Sequence, residues 1–386
     1  MESIGGNRLT LLESGRGYFP ALEIACDAAV HEIHLETYIY EDDVAGRRIA
    51  EALMRAARRG VATHLLVDGY GSKRVSKPLI AELIAAGVQF LVYRPDVAPW
   101  RARQTARRMH RKIAVVDARI AFVGGINVID DMHTPRHTPP RFDYAVQIEG
   151  PLLAHIHPAV KRLWTIVQLT QLAGGWPDDD GPQPETAARG YQRAAFLVRD
   201  NLWHRNDIEE AYLAAIHSAR SEILIASSYF FPGLAFRHAL ADASARGVRV
   251  VLLLQGRVEY RLLHYASRAL YGALLEAGIE IHEYHKSFLH AKVAVVDGRW
   301  ATVGSSNIDP FSLLLAREAN VVVEDKEFSA ELRTSLLSAM ELGAREVERE
   351  RWRMRPLPAR VAHWLCYGCA RLLTGVFAYG QAREFT

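Results

Sequence analysis

Two stretches of this sequence hold histidine, lysine and aspartate at the same spacing, HxKxxxxD. They are His110, Lys112 and Asp117, and again His290, Lys292 and Asp297. Residues two apart on a strand point to one face, so each histidine projects beside its lysine while Ile113 and Val115, or Val293 and Val295, face the other way. An imidazole beside an ammonium suits attack on an anionic phosphoryl centre, where the lysine offsets the charge that repels a nucleophile. The aspartates have the opposite parity and precede Ala-Arg or Gly-Arg at a strand end. They read as anchors of the turn that complete the catalytic motif rather than as proton carriers.

Gly125 with Asn127, and Ser305 with Asn307, follow each motif at matching distances. Small residues that let backbone amides approach, next to side-chain donors, suggest a phosphate cradle, and these four are the expected substrate-binding residues. Asp143 in FDYAV and Glu318 in EANVV begin apolar strands farther on. Each is expected to accept the Nδ1 proton of the histidine in its own half, fixing the tautomer that presents Nε2 to substrate. Glu36, Tyr38 and Tyr229, near strand ends, are candidates for the pocket wall.

These residues need a scaffold that holds them twice. MHRKIAVVDARIAFVGGINVID and LHAKVAVVDGRWATVGSSNIDP match at an offset of 180 residues, so the chain is a tandem duplication. Upstream of each motif, an apolar run, a helix-period segment closing at Arg-Gly and a second apolar run repeat, as do segments ending in AGVQFLVY and AGIEIHEY. Strands alternating with helices predict an α/β fold in each half. The expected parts are an N-terminal half over 1–173, a Gly/Pro/Asp-rich linker over 174–190, a C-terminal half over 191–345 and a basic aromatic segment over 346–386.

With 386 residues, 49% of them hydrophobic and 24% charged, the chain is long and apolar enough for two cores, which excludes disordered, collagen-like and disulfide-scaffold classes. Three cysteines form no multi-bridge framework, and Cys366 and Cys369, a lone CxxC, read as small half-buried helix residues. His155 with His157, or His133 with His137, read as loop or surface histidines; no metal and no cofactor is expected. The N-terminus has neither the basic region nor the apolar run of a secretory signal, and no stretch has the length of a spanning helix. Net charge is only +3, yet WRARQTARRMHRK over 100–112 places six Lys and Arg residues and no acid beside the first motif. Residues 349–383 mix arginines with Trp352, Trp364, Tyr367, Phe377 and Tyr379. Both read as surfaces for an anionic membrane.

The twin motifs resemble the phospholipase D superfamily. The wider text, including GNRLTLLESG, LVDGYGS, DYAVQIEGP and GSSNIDPFSLLLAREANVVV, is similar to bacterial cardiolipin synthases of the B type. That resemblance implies two pseudo-symmetric α/β sandwich halves sharing one active site at their interface. It implies phosphatidyl transfer between two phosphatidylglycerol molecules, with His110 as nucleophile and His290 as general acid and base through a phosphohistidine, releasing glycerol. The expected partner is an anionic phospholipid membrane, reached peripherally from the cytoplasmic side of a bacterial cell; no nucleic acid is expected. Three alternatives stay open: a phospholipase D-type hydrolase or other phosphatidyltransferase, a nucleic-acid phosphodiesterase, and a non-catalytic protein that binds anionic membranes.

Overall fold

The computed structural model describes residues 2–95, 108–134, 138–171, 181–200, 204–258, 261–309, 312 and 316–382, with side chains to 373. The first half runs β1 (Ile4–Glu13), α1 (Ser14–Ala28), β2 (Glu32–Thr37), α2 (Val44–Arg58), β3 (Ala62–Asp68), α3 (Lys77–Ala85), β4 (Gln89–Tyr93), β5 (Lys112–Val116), β6 (Ile120–Gly124), β7 (Arg141–Phe142), β8 (Tyr144–Glu149) and α4 (Leu153–Thr170). The second runs β9 (Gln192–Arg199), α5 (Asp207–Ser218), β10 (Glu222–Ser227), α6 (Leu234–Ala245), β11 (Arg249–Gln255), α7 (Arg261–Glu276), β12 (Glu280–Tyr284), β13 (Phe288–Leu289), β14 (Lys292–Val296), β15 (Trp300–Gly304), β16 (Glu318–Glu324) and α8 (Lys326–Gly343). A short β17 (Ala344–Glu346), α9 (Arg349–Arg353) and α10 (Leu357–Ala382) follow.

The helices start and stop where their side chains allow. Asp43 caps α2 by accepting from the Gly46 amide, and Asp325 caps α8 by accepting from Phe328. Gly60 and Gly247, in equivalent places after α2 and α6, have φ of +90° and +88°, a region that costs a side-chain-bearing residue energy. In α2 the apolar stripe Ala45, Ile49, Ala52, Leu53 and Ala56 is buried throughout, as its 3.6-residue period requires.

Strand order makes the duplication explicit. From the centre outward the first half reads β1, β8, β6, β5, β2, β3, β4 and the second β9, β16, β15, β14, β10, β11, β12, and β1 pairs antiparallel with β9 to join them. β17 adds an outer edge to the second half through β12. In both halves the first three crossover strands are parallel and the motif strand is antiparallel to the first of them. This is the α/β class with two related halves that the repeat predicts.

Among the described residues three large cores, and a smaller cluster in which Leu66, Leu91 and Met109 meet Leu163 and Trp164 of α4, follow from the alternation of strand residues. Ala114 and Val116 of β5 face α1 and α2, while Ile113 and Val115 face a central core that also contains Val293, Val295, Val303, Val321 and Val323 of the second half. Helices α5, α6 and α7 cover the outer core of the second half. Each half is thus a sheet with outer helices, and the inner faces share one apolar interior. Of the proposed linker, residues 181–190 lie along the first half, where Glu185 donates to the Ala118 carbonyl and Arg189 to that of Gly6. Residues 174–180, and 100–107 of the basic stretch, lie outside the described residues.

Candidate active site

β5 and β14 deliver the two motifs. Lys112 and Lys292 are the first residues of their strands, and each ammonium donates to the carbonyl of its own motif histidine, His110 or His290. Asp117 and Asp297 sit at φ of +49° and +51° in the turns that end those strands. Asp117 accepts from the amides of Val30, His31 and Glu32 at 2.7–2.9 Å, and Asp297 from Arg220, Ser221 and Glu222 at 2.8–2.9 Å. Both carboxylates therefore tie the motif turn to the start of the neighbouring strand and are far from the histidine end.

The carboxylates facing the histidines are exchanged between halves. His290 Nδ1 lies 2.6 Å from Asp143 Oδ2, and His110 Nδ1 lies 3.0 and 3.1 Å from the two oxygens of Glu318. The own-half pairing expected from sequence is incorrect. The reason is a short parallel pairing across the interface: β7 runs beside β13, so the His290 amide donates to the Phe142 carbonyl and residue 143 falls next to residue 290. In the pseudo-symmetric place, the His110 amide donates to the Arg317 carbonyl and residue 318 falls next to residue 110.

Gly125 and Ser305 serve these carboxylates. The Gly125 amide donates to the Tyr144 carbonyl and that of Ser305 to Ala319, so neither is presented to an anion. A Cβ at Gly125 would stand 2.4 Å from both Asp143 oxygens, so glycine there makes room for the carboxylate. Ser305 instead donates its hydroxyl to Glu318 at 2.5 Å. Asn127 accepts from the Ile39 amide, and Asn307 accepts from the Ser228 hydroxyl and donates to Ser312. Through these contacts they brace the loops that follow β2 and β10.

Burial sets the electrostatics. Asp143, Glu318, Lys112 and Lys292 are all at most 3% exposed. Burial pushes the Lys112 ammonium down to about 7, against the pull of Glu318. Lys292 is also lowered by burial, opposed by Asp143. Burial lowers His110, partly offset by Glu318. His290 is taken down to about 3 by burial and then by Lys292, whose Nζ lies 2.9 Å from its Nδ1. Asp143 is lowered because Lys292 and His290 outweigh the opposing effect of its burial. Lys292 of the second half acts on both His110 and Lys112 of the first, as one shared site requires.

Of the pocket-wall candidates, Tyr38 is at the site, its ring 4.8 Å from that of His110 and 5.4 Å from Lys112 Nζ. Glu36 is not a wall residue; it forms a buried ion pair with Arg111. Positions not singled out from sequence also hold the motifs. Asp68 accepts from the Met109 amide at 2.9 Å, and Gln255 donates to the Leu289 carbonyl at 3.1 Å, each fixing the residue before a motif histidine. The signal was available, since LLVDGYGS and LLLQGRVE end their apolar runs on these polar residues. Arg141 stacks on Phe288 at 5.6 Å, and its charge helps to lower His290.

The comparisons agree with this geometry. The sequence matches the family described as cardiolipin synthase, PLD-like domain, over residues 23–158 and 212–339. It is 40% identical to cardiolipin synthase B of Escherichia coli K12 over 89% of this chain and 83% of that protein. It is 33% identical to the cardiolipin synthase of Geobacillus kaustophilus over 92% of this chain and 70% of that one. Among solved structures, Haemophilus influenzae phosphatidylserine synthase superposes with a TM-score of 0.69 at 13% identity, covering 95% of this chain and 94% of the other, a likeness of fold. Duplicated motif strands, a shared interior and this sequence match lead to one conclusion: the chain belongs to the cardiolipin synthase family of phospholipase D-like proteins.

Proposed function

We propose that the chain makes cardiolipin from two phosphatidylglycerol molecules by a double displacement at the shared site. The observation that supports this is the crossed pair of buried histidine-carboxylate contacts, each flanked by a buried lysine. His110 Nε2 attacks phosphorus of the first lipid, the bond from phosphorus to the glycerol oxygen breaks, and His290 protonates the departing alkoxide. The glycerol hydroxyl of the second lipid then gives its proton to His290 and attacks the phosphohistidine, breaking the P–N bond. One phosphodiester is exchanged for another, so no nucleotide energy is needed.

Each side chain has a task that its setting favours. Glu318 and Asp143 hold Nδ1–H so that Nε2 faces substrate, and the lysines offset the charge on phosphorus. Burial, reinforced by Lys292, disfavours the charged form of His290, and a phosphodiester anion beside it favours that form, which couples uptake of the catalytic proton to substrate binding. Asp117 and Asp297 keep the motif strands in register.

The lipid substrate is reached from the bilayer surface. Among the described residues no helix is long and apolar enough to cross a membrane. α10 packs on the second half through His363, Cys366, Tyr367 and Ala370. It turns Leu357, Val361, Trp364, Leu365 and Leu372 outward, each at least 54% exposed, and Arg360 and Arg371 border that stripe. An apolar stripe edged by arginines suits an anionic bilayer surface on the side where the substrate headgroups lie.

The test is incubation of purified protein with phosphatidylglycerol vesicles, followed by mass spectrometry of the lipids. Cardiolipin with an equal amount of free glycerol is expected. Phosphatidic acid as the main product would make the chain a hydrolase, and cleavage of DNA without lipid turnover would overturn the lipid reading altogether.

A further inference from the structure

At the end of β2 remote from the motif histidines lies a second group of buried ionisable side chains, which phosphatidyl transfer does not use. Glu32 and His34, two apart on one face of β2, meet His157 of α4, and all three are at most 5% exposed. Sequence spacing alone read His157 as a loop or surface residue. His155 is indeed exposed, whereas the helix turns His157 inward, hydrogen-bonded through Nε2 to the Glu32 carboxylate. His34 Nε2 lies 3.5 Å from Glu32 Oε2 but makes no hydrogen bond with it or with any other described group. The His34 ring is held in place, stacked on His64 at 4.4 Å and 7° and edged by Trp164 at 6.5 Å.

A fixed, buried imidazole nitrogen with no close hydrogen bond among the described residues points to a water or an ion at this place. The three ligand atoms lie within 4.8 Å of one another, so small side-chain shifts bring all of them onto one ion. Two neutral imidazoles and a carboxylate are a borderline-soft donor set that suits zinc, with a water in the fourth position. Gly181 lies beside the cluster: a Cβ there would stand 3.1 Å from Glu32 Oε2 and 3.2 Å from Lys161 Nζ.

We propose that Glu32, His34 and His157 bind one zinc ion per chain, with water completing its coordination, and that the ion fastens α4 to β2. Two further contacts already tie these elements to the first half's scaffold. Asp117 holds the Glu32 amide, and the Ala159 carbonyl of α4 accepts from Arg111, the neighbour of His110. The second half solves the same problem without metal. Its corresponding glutamate, Glu222, is met by Arg333 of α8 and by Arg249, and Leu224 stands where the first half has His34.

The full-length protein, stripped with EDTA and dialysed, should take up one equivalent of Zn2+ by elemental analysis, and its melting temperature should rise on reloading. Cobalt(II) in place of zinc should give the visible d–d absorption of a low-coordinate site. His34→Phe and Glu32→Gln should each weaken zinc binding by at least about tenfold, and Lys161→Met should tighten it. Zinc uptake unchanged in His34→Phe, or no uptake by the stripped wild-type chain, would overturn the proposal. The cobalt spectrum and the uptake are read on the unaltered protein, so a variant that fails to fold does not obscure them. Because the site lies apart from the chemistry, the stripped protein should keep its lipid turnover at temperatures below its melting point, so failure of the lipid reading and failure of this one are separable.

Discussion

The two halves share a strand order and a motif but differ in how they surround it. Around His110 the first half places the Tyr38 ring and the buried Arg111–Glu36 pair, and Asp68 grips the preceding residue. In the second half the matching positions are Ser228, Ala291, Ala226 and Gln255, and it is Lys292 that presses on His290 Nδ1. What is the same in both is His, Lys, Asp and a carboxylate on Nδ1. What differs is the shell that sets their charge. Two related positions thus hold one geometry in different surroundings, and burial lowers the proton affinity of both imidazoles. The crossed carboxylates add a second lesson: neither half is complete without the other.

The largest expected effect is at the histidines. His110→Ala and His290→Ala should each reduce turnover of phosphatidylglycerol vesicles by about 10^4-fold, with unchanged circular dichroism melting. If either variant kept near-full activity, the halves would not act as one site.

A smaller difference is expected at the two turn anchors. Asp117 is 9% exposed and accepts three backbone amides, so Asp117→Ala should cost about 3 kcal/mol in urea denaturation. Asp297 makes similar bonds in a more exposed setting, and Asp297→Ala should cost about half as much. Equal costs would show that burial does not separate the two anchors. The proposed membrane-facing helix, α10, packs on the second half. Trp364→Asp with Leu365→Asp should weaken sedimentation with anionic vesicles by at least about tenfold and leave turnover of a soluble short-chain substrate intact. Equal loss of both would assign α10 to folding.

The smallest effect is a pH difference between the lysines. Below about 7 the Lys112 ammonium is charged and available to phosphate; above it the charge is lost, so kcat/KM should fall several-fold as pH rises through that value. Lys112→Arg, charged at all these pH values, should flatten that limb. An unchanged profile would place the titrating group elsewhere.

Much of this was legible in the sequence. The repeat announces itself because His, Lys, Asp, Gly and Asn recur at one offset, and the β-α-β order follows from the change between alternating and helical periodicity. Asp117 and Asp297 were readable as turn anchors from their parity and their place at a strand end before Ala-Arg or Gly-Arg. The partners of the histidines were not, because the pairing depends on β7 lying beside β13, a contact between residues 147 apart that no local pattern encodes. Gly125 misled for a related reason. A glycine before a polar run suggests an anion cradle, whereas here the space is taken by a carboxylate from the chain itself. His157 needed the orientation of α4 and the face of β2 together, which spacing does not supply.

The crossing of carboxylates is the feature on which the shared site depends, and imidazole NMR reads it directly. In protein with 15N-labelled histidine, each motif ring should show a low-field Nδ1–H proton. Asp143→Asn should shift or abolish the His290 signal and spare that of His110, and Glu318→Gln should do the reverse. Loss of the His110 signal in Asp143→Asn, with that of His290 retained, would contradict the crossed arrangement and return each histidine to a carboxylate of its own half.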